Sequence, residues 1–176
     1  MHAAFLCPTE KVMTQTQAPP QSDTVKLIAP FMNAVRDVLQ TMAHVQTRVD
    51  KPFLKTDAST SYQVCGIIGF SGQLTGSVMV SFSDAAAEKL VEAFAGAKLA
   101  RNDPDFADAI GELTNMIAGS AKQHLGGLAS ISIPTVVIGN GYVVANMHTI
   151  PCLVIPCNTT FGSFAVEVCI MRNPGN

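Results

Sequence analysis

The segment DPDFADAIGELTNMIAGSAKQHL, from Asp103 to Leu125, limits what this chain can fold into more than any other. Asp103 is a capping residue followed by Pro104, which suits the first turn of a helix, and Gly126-Gly127 supplies a stop just beyond Leu125. Wound at about 100° per residue, Phe106, Ile110, Leu113, Ile117 and Ala121 fall within about 80° of one another and form a stripe for burial. Asp108, Glu112, Asn115, Gly119 and Gln123 occupy a similar arc on the opposite side. Glu112 and Asn115 are therefore expected side by side, facing outward.

Polar residues opposite a core stripe are usually a solvated face, and Asp108, Glu112 and Lys122 taken singly fit that account. Asn115 fits it less well. Asparagine inside a helix costs several tenths of a kcal/mol relative to alanine, and a purely solvated position carries less penalty with Glu, Lys or Gln. Gly111 and Gly119 each weaken the helix interior by roughly 0.5–1 kcal/mol. Either they keep the helix surface low so that another backbone can approach, or Gly111 packs closely against the domain's own sheet.

The rest of the chain alternates helices and strands. Phe31, Ala34, Val35, Val38, Leu39 and Met42 mark a helix over 30–42. Val45 to Leu54 reads as a strand near an edge, because it contains Pro52. Val64 to Phe70 and Ser77 to Phe82 read as a hairpin joined by SGQLTG. Ser83-Asp84 opens a helix over Ala85 to Phe94 that ends at Gly96. Strands are expected over Ser130 to Ile133, Thr135 to Ile138, Val143 to Val144, Leu153 to Ile155 (stopped by Pro156) and Phe164 to Met171, the last entered through a turn at Gly162. The expected fold is α+β, with a mostly antiparallel sheet covered by long helices. Residues 1–23 read as a disordered N-terminal tail and residues 24–173 as the folded domain; the stretch MTQTQAPPQSD buries too little to order itself. The opening residues lack the basic region of a signal peptide, and Met13 reads as an alternative translation start.

Composition removes several function classes. A net charge of -2 gives no footprint for nucleic acid or anionic lipid, and no run of 18 apolar residues offers a membrane span. The five cysteines match neither a zinc ribbon nor a disulfide framework, and all five read as free cytosolic thiols, a Cys152–Cys157 redox or metal pair being the alternative. His44, His124 and His148 are scattered, with His124 expected to pack in the core; no metal site is expected. GIIGFSG, GNG and GGLAS lack the Lys-Ser/Thr of a nucleotide-binding loop.

AIGELTNMIAGSAK resembles the helix signature of the CheC, CheX and FliY chemotaxis phosphatases: an acidic or serine residue, three residues, Glu, two residues, Asn, then a downstream proline. Asp108, Glu112 and Asn115 match that spacing and Pro134 matches the proline. DKPFLK, GIIGFSGQLTGSVMVSFS and TVVIGNG resemble the CheX branch in the same order, so the likeness spans about Val25 to Ile170. Neither APFMNAVRDVLQTM nor EKLVEAF repeats Glu-x-x-Asn, so one site per chain is expected, as in CheX. The resemblance implies a cytoplasmic phosphatase acting on the aspartyl phosphate of a CheY-like receiver. It implies no cofactor of its own, Mg²⁺ being supplied by the receiver, and a homodimer formed through an exposed strand such as Val45–Leu54 or Phe164–Met171. Asn115 would place the attacking water and Glu112 would pair with a receiver lysine, with Asp108, Gly119 and Pro134 at the contact. A catalytically inactive receiver-binding adaptor is the alternative.

Overall fold

The computed structural model describes residues 22–57, 60, 62–140, 142, 144 and 150–173. The elements run α1 (Ser22–Met42), β1 (Arg48–Val49), β2 (Phe53–Leu54), β3 (Val64–Gly72), β4 (Leu74–Phe82), α2 (Asp84–Ala95), α3 (Pro104–Gln123), β5 (Ala129–Ile131), β6 (Thr135–Ile138), β7 (Leu153–Thr159) and β8 (Gly162–Arg172). Among the described residues they form one antiparallel sheet in the order β1-β7-β8-β4-β3-β5, with β2 also on β7 and β6 also on β3. This is the α+β architecture the pattern predicts.

Two prolines are accommodated where the sequence predicts breaks. α1 begins at Ser22, inside the expected tail, and continues through Pro30. Buried Ile28 and packed Leu27 hold the turns before the proline against the core, which offsets the lost helical hydrogen bond. β7 runs through Pro156 to Thr159. The Pro156 carbonyl accepts from the Asp50 N–H (2.9 Å), so its donor-less nitrogen faces the same way, toward the gap between β1 and β2, and no bond to β8 is lost. The expected Val45–Leu54 strand is the pair β1 and β2, at one edge of the sheet. Gly162, at φ 137°, makes the tight return into β8. Of the expected Val143–Val144 strand, Val143 lies outside the described residues and Val144 is in no strand. Residues 1–21 of the expected tail also lie outside them.

The two faces of the sheet are buried differently. Val64, Ile68, Val78, Val80, Phe82, Phe164, Val166, Val168 and Ile170 face the helices and share a core with Phe31, Val35, Leu39, Leu90, Phe106, Ile110, Leu113 and Ile117. On the other face Cys65, Met79, Ser81, Ala165, Glu167 and Val154 are also buried. There the fully buried Glu167 carboxylate pairs with the Lys55 ammonium. The backbone N–H of Lys55 donates to the Cys152 carbonyl (2.8 Å), so both ends of that residue are fixed to the sheet. Lys55→Met is expected to cost about 1.5–3 kcal/mol, read as a lower urea midpoint with an unchanged slope.

Cys152 and Cys169 form a disulfide, which corrects the expectation of five free thiols. The β7–β8 register sets the two residues opposite each other, a relation that sequence spacing does not reveal. Cys65 and Cys157 are free and buried. Burial, helped by the Asp50 charge, pushes the Cys157 thiol up to about 12, and burial also raises Cys65, so neither is a thiolate near neutral pH. Thiol titration of the denatured chain is expected to count two more thiols after reduction than before. No helix of the described residues is long and apolar enough to cross a membrane.

Candidate functional site

α3 is built as its sequence dictates. The Asp103 side chain accepts from the Asp105 N–H (3.0 Å) at the N-cap, and Pro104 occupies the first turn. Phe106, Ile110, Leu113, Ile117 and Ala121 are fully buried. At the other end the His124 N–H donates to Ala121 O (3.1 Å), and Gly126 and Gly127 follow at φ 71° and 73°. His124 is exposed, not packed in the core. The helix ends at Gln123, and the imidazole turns back so that Nδ1 lies 3.1 Å from Ser120 O, one of the carbonyls a helix end leaves without a partner.

Opposite the core, Asp108 and Glu112 are exposed, and Asn115 and Gly119 are half-buried. Helix geometry places Glu112 one turn beyond Asp108, and Asn115 nearly one turn beyond Glu112. Among the described residues, no hydrogen bond or ion pair engages the Glu112 carboxylate or the Asn115 amide. Both groups are thus available to something outside the fold.

The two glycines differ. A methyl group at Gly119 would meet no heavy atom within 4 Å, so this part of the stripe is open. Gly111 is buried, and a methyl there would sit 3.4 Å from both Pro134 Cγ and Val136 Cγ2. Close packing against the domain's own sheet is therefore the account of Gly111, and it brings Pro134 to the turn that carries Glu112. The structure thus gathers Asp108, Glu112, Asn115, Gly119 and Pro134 along one side of α3.

One seating contact was not singled out from the sequence. Thr114 is fully buried, and its hydroxyl donates to Ile110 O (2.7 Å). It lies over Gly66 of β3, where an added Cβ would stand 2.0 Å from Thr114 Oγ1. An isolated glycine inside a strand is the signal for such an approach. This contact sets the height of α3 above the sheet at the residue before Asn115.

The family model of chemotaxis phosphatase CheX matches residues 64–158. The CheY-P phosphatase CheX of Thermotoga maritima is 32% identical over 128 residues, covering 70% of this chain and 80% of that protein. The chain belongs to the CheX family. Among solved structures, chemotaxis protein CheX from Desulfovibrio desulfuricans superposes with a TM-score of 0.76 at 30% identity, over 84% of this chain and 99% of that one. CheX in the CheX–CheY–BeF3–Mg²⁺ complex from Borrelia burgdorferi shares the fold at a TM-score of 0.69 and 22% identity, over 83% of this chain and 98% of that one. The CheX family match includes all of α3, the helix that carries the acid and the amide.

Proposed function

We propose that this chain hydrolyses the acyl phosphate of a phosphorylated CheY-like receiver. The observation that carries the reading is the pair of exposed Glu112 and half-buried Asn115, both unengaged by the described residues, on a helix seated firmly on the sheet. In this mechanism a water attacks phosphorus in line with the aspartyl oxygen. The phosphorus–carboxylate bond breaks, and inorganic phosphate keeps the water's oxygen. The Asn115 amide oxygen accepts a hydrogen bond from that water while its NH₂ donates to a phosphoryl oxygen. An amide does not serve as a base near neutral pH, so its work is positioning.

Glu112 acts on the partner. A carboxylate aimed at a phosphoryl group is repelled, whereas paired with a receiver lysine it orients the two domains. Asp108 adds a polar contact, Gly119 leaves room for the receiver's backbone, and Pro134 supports the helix at Gly111. The Mg²⁺ comes with the receiver, held by its carboxylates; in the Borrelia burgdorferi complex, CheX is found with CheY, BeF3 and Mg²⁺. The chain works in the cytoplasm, where receivers are phosphorylated.

A homodimer belongs to the same reading. β8 lies between β7 and β4, so Phe164–Met171 has no free edge and drops out as the dimer strand. The edge formed by β1 and β2 is the remaining one of the two. Light scattering at micromolar concentration should give twice the chain mass; a monomer removes this element.

The test is to phosphorylate CheY-type receivers from the same genome and follow loss of acyl phosphate with and without the chain. Accelerated loss from at least one receiver is expected. Binding without accelerated loss selects the adaptor instead.

A further inference from the structure

β5 and β6 are two parts of one edge segment on β3, and they do not share a register. Between the pairs Phe70–Ile131 and Ile67–Thr135, three residues, Ser132, Ile133 and Pro134, stand against two, Ile68 and Gly69. That is a β-bulge, a device that re-aims a side chain out of the ladder. Its flanks are fixed. The Ser132 N–H donates to Gly69 O (3.0 Å), while its Oγ accepts from the Gly69 N–H (3.0 Å) and donates to Ile133 O (2.7 Å). Pro134 has no N–H to leave unpaired and packs on Gly111.

The residue put out by this arrangement is Ile133, 86% exposed, about twice as far into solvent as Leu54, Ile138 or Met171, the other exposed large apolar side chains among the described residues. Single exposed apolar residues are ordinary on a protein surface. Ile133 differs in being held on both sides, and in where it is held. Pro134 lies over Gly111, and Gly111 is one helical turn before Asn115. Through Pro134 the isoleucine is one residue from the contact with α3 at Gly111, on a backbone that needs little ordering when something covers it.

We infer that Ile133 is an apolar contact for the receiver that docks on α3, setting affinity and not turnover. This rests on the reading of Glu112 and Asn115 as a receiver phosphatase site and names a second point of attachment beside it. A bulged, rigid isoleucine one residue from the proline that packs on α3 gives a receiver seated on that helix one apolar anchor besides its charged contact.

The experiment compares wild type, Ile133→Ala and Ile133→Leu in two assays: binding to Mg²⁺–BeF3-activated CheY-type receivers from the same genome, and steady-state hydrolysis of the phosphorylated forms. Ile133→Ala is expected to raise Kd and KM about tenfold, with kcat within about twofold of wild type, and Ile133→Leu to restore both. Because the side chain is exposed, the urea midpoint should not move. A Kd for Ile133→Ala equal to that of wild type overturns the inference. So does an unchanged Kd with lost self-association, which assigns Ile133 to a contact between copies. If wild type binds a receiver without hydrolysing it, the phosphatase reading fails while the Kd comparison still decides this one. A wild type that binds no receiver overturns both.

Discussion

Asn115→Ala is expected to lower phosphatase turnover about 100-fold or more while receiver affinity stays within a few-fold of wild type. The amide is half-buried and bonded to nothing among the described residues, so under the proposed mechanism the change falls on the water and not on the fold. Glu112→Ala should show the opposite split, with KM raised more than kcat is lowered, because the partner proposed for it is a receiver lysine. Asn115→Asp provides a sharper comparison. It keeps the shape and an acceptor but loses the NH₂ donor and places negative charge beside the phosphoryl group, so it should be at least as slow as the alanine variant. Single-turnover decay of a phosphorylated receiver measures all three. An Asn115→Ala rate equal to wild type would remove the assigned mechanism.

Gly66→Val should have the largest effect on the fold, about 3 kcal/mol or more of destabilisation by urea or thermal unfolding. The first added carbon would stand 2.0 Å from Thr114 Oγ1 and 2.8 Å from Thr114 Cβ, so α3 has to lift from β3. The effect should reach the chemistry, since Asn115 is the next residue: below its melting transition the variant should lose turnover as well. Thr114→Ala relieves the closest contact, so Gly66→Ala combined with Thr114→Ala should be more stable than the sum of the single changes predicts. Strict additivity would show that the contact does not govern the helix's seat.

The elements that local chemistry specifies were legible in the sequence. Ser83 caps α2, with its hydroxyl accepting from the Ala86 N–H (3.3 Å), and Gly96 closes that helix in the left-handed region. The apolar stripe of α3 and the alternation in β8 point to the core as expected. What escaped depends on which strand lies beside which. Pro156 is harmless only because its nitrogen faces the gap between β1 and β2, and Pro30 only because Ile28 anchors the turns before it. The Cys152–Cys169 bridge and the Lys55–Glu167 pair join residues far apart in sequence across a register that no local pattern encodes. The polar face of α3 could be read by winding the helix. The bulge at Ser132–Pro134 could not, although a proline within an apolar run is its usual mark.

The acid and the amide also lie outside everything that holds the molecule together. Neither contributes to the core, caps a helix or joins a network among the described residues. Selection on foldedness is therefore blind to both, and a lineage can lose either one by a single codon change without harm to the protein's abundance. A copy freed from its catalytic duty would drift first at these two positions while still recognising receivers. It could regain hydrolysis just as readily, because the scaffold that presents the pair would have been kept for its own reasons.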